Sequence, residues 1–539
     1  MSHPADHSRS LHQAFTAARK RAGTRPFLAE SAVCGGRVWS FEEAGREVDD
    51  LIQIYARQGW GHGHRVALAV GNHPRHFFHF LALNHLGASI VPLNPDHRGG
   101  EIRHAMSLSG AQLVVATEPR RAELYAALQE DGPLAHMAVL DAKQLAQLLP
   151  AAPSGVAALS EDPWRREVAV LFTSGTSGPP KGCVLTNEYM MTAGAWYRDL
   201  GGALTLRHAQ ERVLNPLPVF HMNCGITSIA TMCLSDNCLV LPDRFHASTW
   251  WEDCVQSQAT AIHYLGIMPP VLFKQSPTLA ERQHQIRFGL GAGCEPSLHP
   301  QVEARFGFPF VEVWGMTETG RFLSNQHEPR HTATRAFGRA AEPVQVRVVD
   351  DDDREVPQGQ PGQLLVRASG SDPRRGFFSG YLGQPQDTEH AWRGGWFHTG
   401  DVVTQDAEGM LYFVDRRKDI IRRSGENISA AEVEAALAAH PAVARVAVMA
   451  VPDEWRDEEV LAAVVLAPGY AAQASLAQSL QAHCLELLAY YKAPAWWVFR
   501  DSLPVTATNK VSKNLIFASV QDPRSQGLDL RAFKKRPTP

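Results

Sequence analysis

Val170-Leu-Phe-Thr-Ser-Gly-Thr-Ser-Gly-Pro-Pro-Lys-Gly182 is the stretch around which the chain is organised. An apolar strand, Val168 to Phe172, runs into a loop of hydroxyls and glycines. The loop ends in Lys181, and Cys183-Val-Leu-Thr186 reads as a second short strand. Glycines such as Gly175 and Gly178 let a backbone come close to a ligand and present its N–H groups. Thr173, Ser174, Thr176 and Ser177 offer hydroxyls to phosphate oxygens, and Lys181 adds a point charge. Such a loop suits a polyphosphate. It is not a Walker A loop, which needs Gly-Lys-Ser/Thr after a fixed gap. Here Pro180 precedes the lysine and Gly182 follows it. A solvated Ser/Gly turn would share this composition, so the reading needs support from the rest of the chain.

Working outward, 539 residues are too many for one hydrophobic core, so at least two domains are expected. Apolar content of 44% and charged content of 20% are those of an ordinary globular protein. A net charge of −4 gives no global attraction to nucleic acid or anionic lipid. No apolar run reaches the ~18 residues a membrane helix needs, so no integral membrane association is expected. Met1-Ser-His-Pro-Ala-Asp-His lacks the basic and apolar regions of a signal peptide. Eight cysteines are scattered without a Cys-x-x-Cys pair. That pattern argues against structural zinc and favours reduced, mostly buried thiols in the cytoplasm.

Before the loop, Phe15 to Ala18 and Phe41 to Ala56 read as amphipathic helices. Arg65-Val-Ala-Leu-Ala-Val70, the helical run His76 to Leu86, and Ala88-Ser-Ile-Val-Pro-Leu93 form a strand, helix, strand unit. A second round follows, with a helix near Glu101 to Ser109 and the strand Gln112 to Ala116. Such βαβ repetition implies a parallel sheet. His76, His79 and His85 suggest a metal, but no carboxylate completes a set, so helix surface or packed core is the better reading.

After the loop, Asn215-Pro-Leu-Pro-Val-Phe-His-Met222, Ile262-His-Tyr-Leu-Gly-Ile-Met-Pro269 and Phe288-Gly-Leu-Gly-Ala-Gly-Cys294 are strand-and-loop segments. Val311-Glu-Val-Trp-Gly-Met-Thr-Glu-Thr-Gly320 delivers an aromatic, a glycine, a hydroxyl and a carboxylate to one spot. Trp314 suits stacking on a base. Thr317 suits a phosphate, and Glu318 suits Mg²⁺, a hard cation that takes carboxylate and phosphate oxygens. Val344 to Val349, Asp350-Asp-Asp-Asp353 and Leu364 to Arg367 read as a β-hairpin with a solvated acidic turn. Gly395 to Asp401, Tyr412 to Ile421, Arg422-Arg-Ser-Gly-Glu-Asn-Ile-Ser429 and Leu503 to Lys513 follow. Ser429 is expected to cap a helix, with Glu432 completing a capping box. Lys513 reads as a surface charge, and the polar tail after Gln521 as disordered.

In this order the motifs resemble those of the AMP-forming acyl-CoA synthetases, the adenylate-forming superfamily, over almost the whole chain. The resemblance implies an α/β fold in three parts. Residues 1–416 would be a large N-terminal domain of parallel βαβ-type sheets with helices plus a β-rich subdomain. Residues 417–520 would be a small mobile α+β lid, and 521–539 a tail. It further implies an ATP-dependent carboxylate–CoA ligase using ATP, Mg²⁺ and coenzyme A on a small carboxylic acid. Thr173 to Gly178 and Lys181 would hold phosphates, and Gly291, Ala292, Gly293, Trp314, Gly315, Met316 and Thr317 would line ATP. Asp401 would accept bonds from both ribose hydroxyls, with Arg416 beside it. Phe220, His221, Tyr264, Gly291 and Gly315 would border the acyl group. Gly425, with Glu426 and Asn427, would pass coenzyme A. Lys418 would be the hinge, Lys510 the catalytic lysine of the first half-reaction, and Lys181, Thr317 and Glu318 its partners in catalysis. Asn509 departs from the family's glycine before that lysine. The Arg422 to Ser429 run and Asp453 to Glu459 look most like the crotonobetaine/carnitine-CoA ligase branch. Rival readings are an adenylation enzyme loading a carrier-protein thiol and a non-catalytic nucleotide-binding homologue. A homodimer is compatible with either.

Overall fold

The computed structural model describes residues 8–95, 97, 99–117, 120–128, 134, 137–154, 160–173, 180–416, 419–423, 426–454, 457–506 and 510–534. Two compact units emerge, Met1–Gln345 with Val366–Phe397, and Val346–Leu365 with His398–Pro539.

The first unit contains two sheets. One has seven strands, ordered Gly380–Tyr381, Lys181–Thr186, Glu167–Thr173, Ser89–Pro92, Arg65–Ala69, Leu113–Ala116 and Ala138–Asp141. The five from Glu167–Thr173 onward run parallel, as the βαβ reading requires. Their near-continuous apolar runs follow from burial on both faces: Val168 to Leu171 and Leu113 to Ala116 are all buried. The first two strands join antiparallel, which closes the phosphate-loop hairpin with Thr173 opposite Lys181. The other sheet has eight strands, ordered Leu323–Ser324, Phe310–Trp314, Phe288–Ala292, Ala261–Leu265, Arg212–Leu214, Cys238–Leu241, Pro26–Glu30 and Val38–Ser40. It is parallel through its centre and antiparallel at both ends. The helices expected before the loop form as Leu11–Ala22 and Phe41–Arg57, the second opened by a Ser40/Glu43 capping box. His76 and His79 are buried core residues, with burial pushing both imidazoles down to about 3. Asp350 turns its carboxylate onto the N–H groups of Asp352 and Arg354, so the acidic run is a self-satisfied turn.

The second unit takes Met410–Arg416 and most of Phe397–Gln405, Gly362–Ala368 and Val344–Val349, strands that lie side by side. A further sheet orders Glu426–Ser429, Ile420–Arg423, Asp457–Leu466, Trp496–Phe499 and Leu528–Asp529, with Val443–Asp453 also paired to Asp457–Leu466. Helices Ala430–Ala438 and Ala474–Leu487 pack Val433, Leu437, Ala477 and Leu480 over it. By compactness the last division of the chain falls between Phe397 and His398. Its cause is the hairpin 397–416, whose Asp415 accepts from the Ser429 hydroxyl (2.8 Å) and the Ala431 N–H (2.9 Å). Contact density sets this division, whereas a pivot is set by backbone rotation.

Three expectations for this unit need correction. The tail is packed as far as residue 534: Leu528 and Asp529 pair with Trp497 and Trp496, and Leu530 is buried. Lys534 donates to Glu459 at 2.7 Å, and Arg423 binds the other Glu459 oxygen at 2.6 Å. Lys513 is no loose surface charge, because it lies 2.8 Å from Glu434 and 3.8 Å from Asp419. The Ser429 hydroxyl does accept from Glu432 N–H, but the Glu432 carboxylate binds Lys492 at 2.6 Å, so the capping box is left incomplete.

Candidate active site

The phosphate-loop hairpin brings a cation and a carboxylate together. Ser174, Gly175, Thr176, Ser177 and Gly178 lie outside the described residues, while Thr173 and Lys181 flank them on paired strands. Lys181 Nζ is 2.6 Å from Asp387 and 4.8 Å above the Tyr381 ring. Tyr381 donates its hydroxyl to Glu318 Oε1 at 2.9 Å. Burial, then the Glu318 charge, push the phenol far above its ordinary range, so it stays a donor. Glu318 itself is only 6% exposed. The turn that carries it is pinned twice. Thr319 Oγ1 bonds the Met316 carbonyl (3.0 Å), and Tyr189 donates to the Thr317 carbonyl at 2.6 Å. Gly315 has no room for a side chain, since a Cβ there would press on Phe322. Trp314 is almost buried, its ring 6.0 Å from that of Phe337.

Neighbouring strand ends form the second cluster. Gly291 is buried, and a Cβ on it would collide with the Tyr264 carbonyl, so packing already demands glycine there. Ala292 and Gly293 are exposed, and Gly293 takes φ +91°, a region that favours glycine. Glu312 clamps this loop. One oxygen accepts from Tyr264 OH (2.6 Å) and Cys294 N–H (3.0 Å), the other from Gly293 N–H (2.7 Å). Burial holds the Glu312 carboxyl above the usual carboxylate range. Tyr264 is 0% exposed. It supports the loop through Glu312, to which its hydroxyl donates. Phe220 and His221 have ring centroids 4.6 Å apart and lead into a π-helix, Met222–Ser228. π-Helical turns are rare and frequent at functional sites. Beneath it His263 bonds Tyr197 (2.9 Å) and Asn223 (2.6 Å), and burial pushes the imidazole down to about 3, so it is neutral at pH 7.

The second unit carries a third cluster. Asp401 and Arg416 face each other across paired strands, with Arg416 Nε 3.2 Å from Asp401 Oδ1. Thr506 and Lys510 close the lysine loop, through Thr506 N–H to the Lys510 carbonyl (2.7 Å) and Lys510 N–H to the Thr506 hydroxyl (3.2 Å). Lys510 is exposed as a residue, yet its ammonium is pushed below the ordinary lysine value, first by partial desolvation and then by Arg416, with Asp401 opposing. Lys418, Gly425 and Asn509 lie outside the described residues, and Glu426 and Asn427 are described only as backbone in the strand Glu426–Ser429.

The AMP-binding enzyme model matches residues 15–382, and the AMP-binding enzyme C-terminal domain model matches residues 432–510. The chain belongs to the AMP-binding enzyme family. A crotonobetaine/carnitine–CoA ligase of Proteus mirabilis is 30% identical over 505 residues, covering 90% of this chain and 94% of that protein. One from Salmonella typhi is 29% identical over 500 residues, covering 88% and 92%. Among solved structures, an o-succinylbenzoate CoA synthetase of Bacillus subtilis in complex with AMP has a TM-score of 0.79 at 24% identity, covering 96% of this chain and 99% of that one. ATP-bound MatB from Rhodopseudomonas palustris gives 0.78 at 21%, covering 95% and 99%. As an AMP-binding enzyme, the protein is an AMP-forming ligase of the acyl-CoA synthetase type.

Tyr381 and Asp387 join Lys181 only through the fold, about 200 positions away. Glu312 lay inside a quoted motif, yet nothing in its spacing tied it to Gly293. An acid inside an apolar strand, next in space to a glycine turn, is a pattern the sequence shows only in part.

Proposed function

We propose that this protein is a cytoplasmic carboxylate–CoA ligase that activates a small acid with an uncharged or weakly polar acyl tail. The observation that carries the phosphate end of this reading is the line Lys181–Tyr381–Glu318, a cation and a buried carboxylate on either side of one aromatic ring. In the first half-reaction the acid's carboxylate attacks the α-phosphorus of ATP, and pyrophosphate leaves. Lys181 and the loop hydroxyls hold the leaving phosphates, and Lys510 stabilises charge at the five-coordinate centre. Asp401 accepts from the ribose, with Arg416 holding its orientation. In the second, the coenzyme A thiol attacks the acyl-adenylate and AMP leaves, after the lid turns about Lys418. Glu318 fits a hard cation, being a buried carboxylate with one oxygen held by a neutral donor. Bound there, Mg²⁺ would neutralise charge on the phosphates and take its remaining ligands from nucleotide and water.

The acyl tail follows from the residues near the expected pocket. No acid occurs from Phe220 to Ser235 or from Ala259 to Lys274. Glu295, the nearby acid past the glycine strand, is half exposed with Arg335 at 3.9 Å. Glu312 spends its oxygens on three donors. A quaternary ammonium would find no uncompensated carboxylate among these. The curated relatives are named for carnitine and crotonobetaine, which favours the opposite choice. Their CoA specificity over nearly the full length weighs against a carrier-protein acceptor. The test is kcat/KM for carnitine and crotonobetaine against short, medium and aromatic acids, with acyl-CoA detected by mass spectrometry. A tenfold preference for either betaine, about 1.4 kcal/mol, would overturn the uncharged-tail assignment.

A further inference from the structure

A phosphate-binding lysine that already holds a carboxylate has a competitor built in. Lys181 Nζ lies 2.6 Å from Asp387 Oδ2, although the two residues are 206 positions apart. Asp387 stands in the first turn of the helix Pro385–Ala391, which follows the Tyr381 strand directly. The Tyr381 ring under Lys181 limits where the ammonium can go. Lys181 is therefore presented between a ring and a carboxylate, with side chains 36% and 49% exposed for Lys181 and Asp387. Solutes reach this pair. An exposed pair is weak and exchanges readily, which suits a contact that must be given up.

We propose that Asp387 is a positioning residue that sets affinity for the polyphosphate. Its carboxylate competes with the phosphate oxygens of ATP for the Lys181 ammonium, gives it up when ATP binds, and regains it as pyrophosphate leaves. Two effects act in the same direction. Lys181 exchanges one charge-assisted pair for another, so its gain on binding is reduced. The displaced Asp387 then repels the bound phosphates. Weaker ground-state binding of substrate and product costs nothing in kcat, and it hastens turnover wherever product release limits it. This inference rests on the assignment of Lys181 to the phosphates.

The experiment uses the full chain with ATP, Mg²⁺, an accepted acid and coenzyme A, and compares Asp387→Asn, Asp387→Ala, Lys181→Met and the Lys181→Met/Asp387→Asn pair. Both Asp387 variants should lower KM for ATP and the pyrophosphate inhibition constant by about three- to tenfold, the scale of an exposed pair with one added like charge. KM for the acid should not move, and the gain should shrink at high salt. In the Lys181→Met background the Asp387→Asn gain should shrink to the part that comes from direct repulsion of the phosphates, because the contact with Lys181 is already gone. If Lys181→Met weakens ATP binding while Asp387→Asn leaves it unchanged or weakens it too, the competition is refuted and the phosphate assignment survives. If Lys181→Met leaves KM for ATP unaltered, the assignment itself falls and the inference with it.

Discussion

Glu312→Ala is the most informative single change in the acid-binding region. The carboxylate accepts from Tyr264 OH, Gly293 N–H and Cys294 N–H. Gly293 is exposed, so its N–H can turn to water. Tyr264 and Cys294 are buried and cannot. Each buried donor left without a partner costs about 1–3 kcal/mol, so the change should destabilise the strand-end loop by about 2–6 kcal/mol. Openings of that size are local, well short of global unfolding of a large unit. Hydrogen exchange of segment 291–296 should therefore rise by orders of magnitude, while the strand Glu167–Thr173 keeps its protection. KM for both acid and ATP should rise tenfold or more. Tyr264→Phe removes donor and demand together and should cost only about 1 kcal/mol. Unchanged protection of 291–296 together with unchanged KM values in Glu312→Ala would refute the clamp.

Lys510→Ala should reduce acyl-adenylate formation by about 10²- to 10³-fold, the scale of removing one transition-state donor, yet spare thioester formation from supplied acyl-adenylate. Equal loss of both half-reactions would reject the role. Because the Lys510 ammonium is pushed below the ordinary lysine value, its charge is complete at low pH and is lost as pH rises through that lowered value. The adenylation rate should thus fall on the alkaline side earlier than a normal lysine would dictate, and Lys510→Arg should remove that limb. Lys418→Pro fixes φ and removes a backbone donor, so acyl-adenylate should accumulate while transfer to coenzyme A fails, and unaltered turnover would place the pivot elsewhere. Glu459→Gln removes the charge shared by two cations, Arg423 and Lys534, whose side chains are 4% and 1% exposed. It should lower the stability of the second unit by about 3–5 kcal/mol, read as a lower urea midpoint for that unit's tryptophan fluorescence.

What was legible in the chain was what lies close in sequence. The run from Val168 to Thr186 shows its hairpin through an apolar strand, a glycine-rich break and a second strand. Arg65 to Ala116 shows its parallel sheet through repeated strand, helix, strand spacing. What escaped depends on long-range pairing. Asp387 has no local mark of its tie to Lys181. Lys513 reads as a surface charge until Glu434 and Asp419 converge on it. The tail misled because its charges dominate its composition, but Leu528 and Leu530 alternate around Asp529 at strand period, a signal that was available. Gly291 shows another limit. A role beside a ligand leaves no mark on that glycine, because packing on Tyr264 alone already requires it.

This enzyme joins an acid to coenzyme A through an acyl-adenylate. The measurement is product analysis by mass spectrometry after incubation with ATP, Mg²⁺ and a panel of carboxylic acids, with and without coenzyme A. Acyl-AMP and pyrophosphate are expected without coenzyme A, and acyl-CoA with one AMP per thioester once it is added. Release of ADP and phosphate, or AMP formation that no acid stimulates, would contradict it.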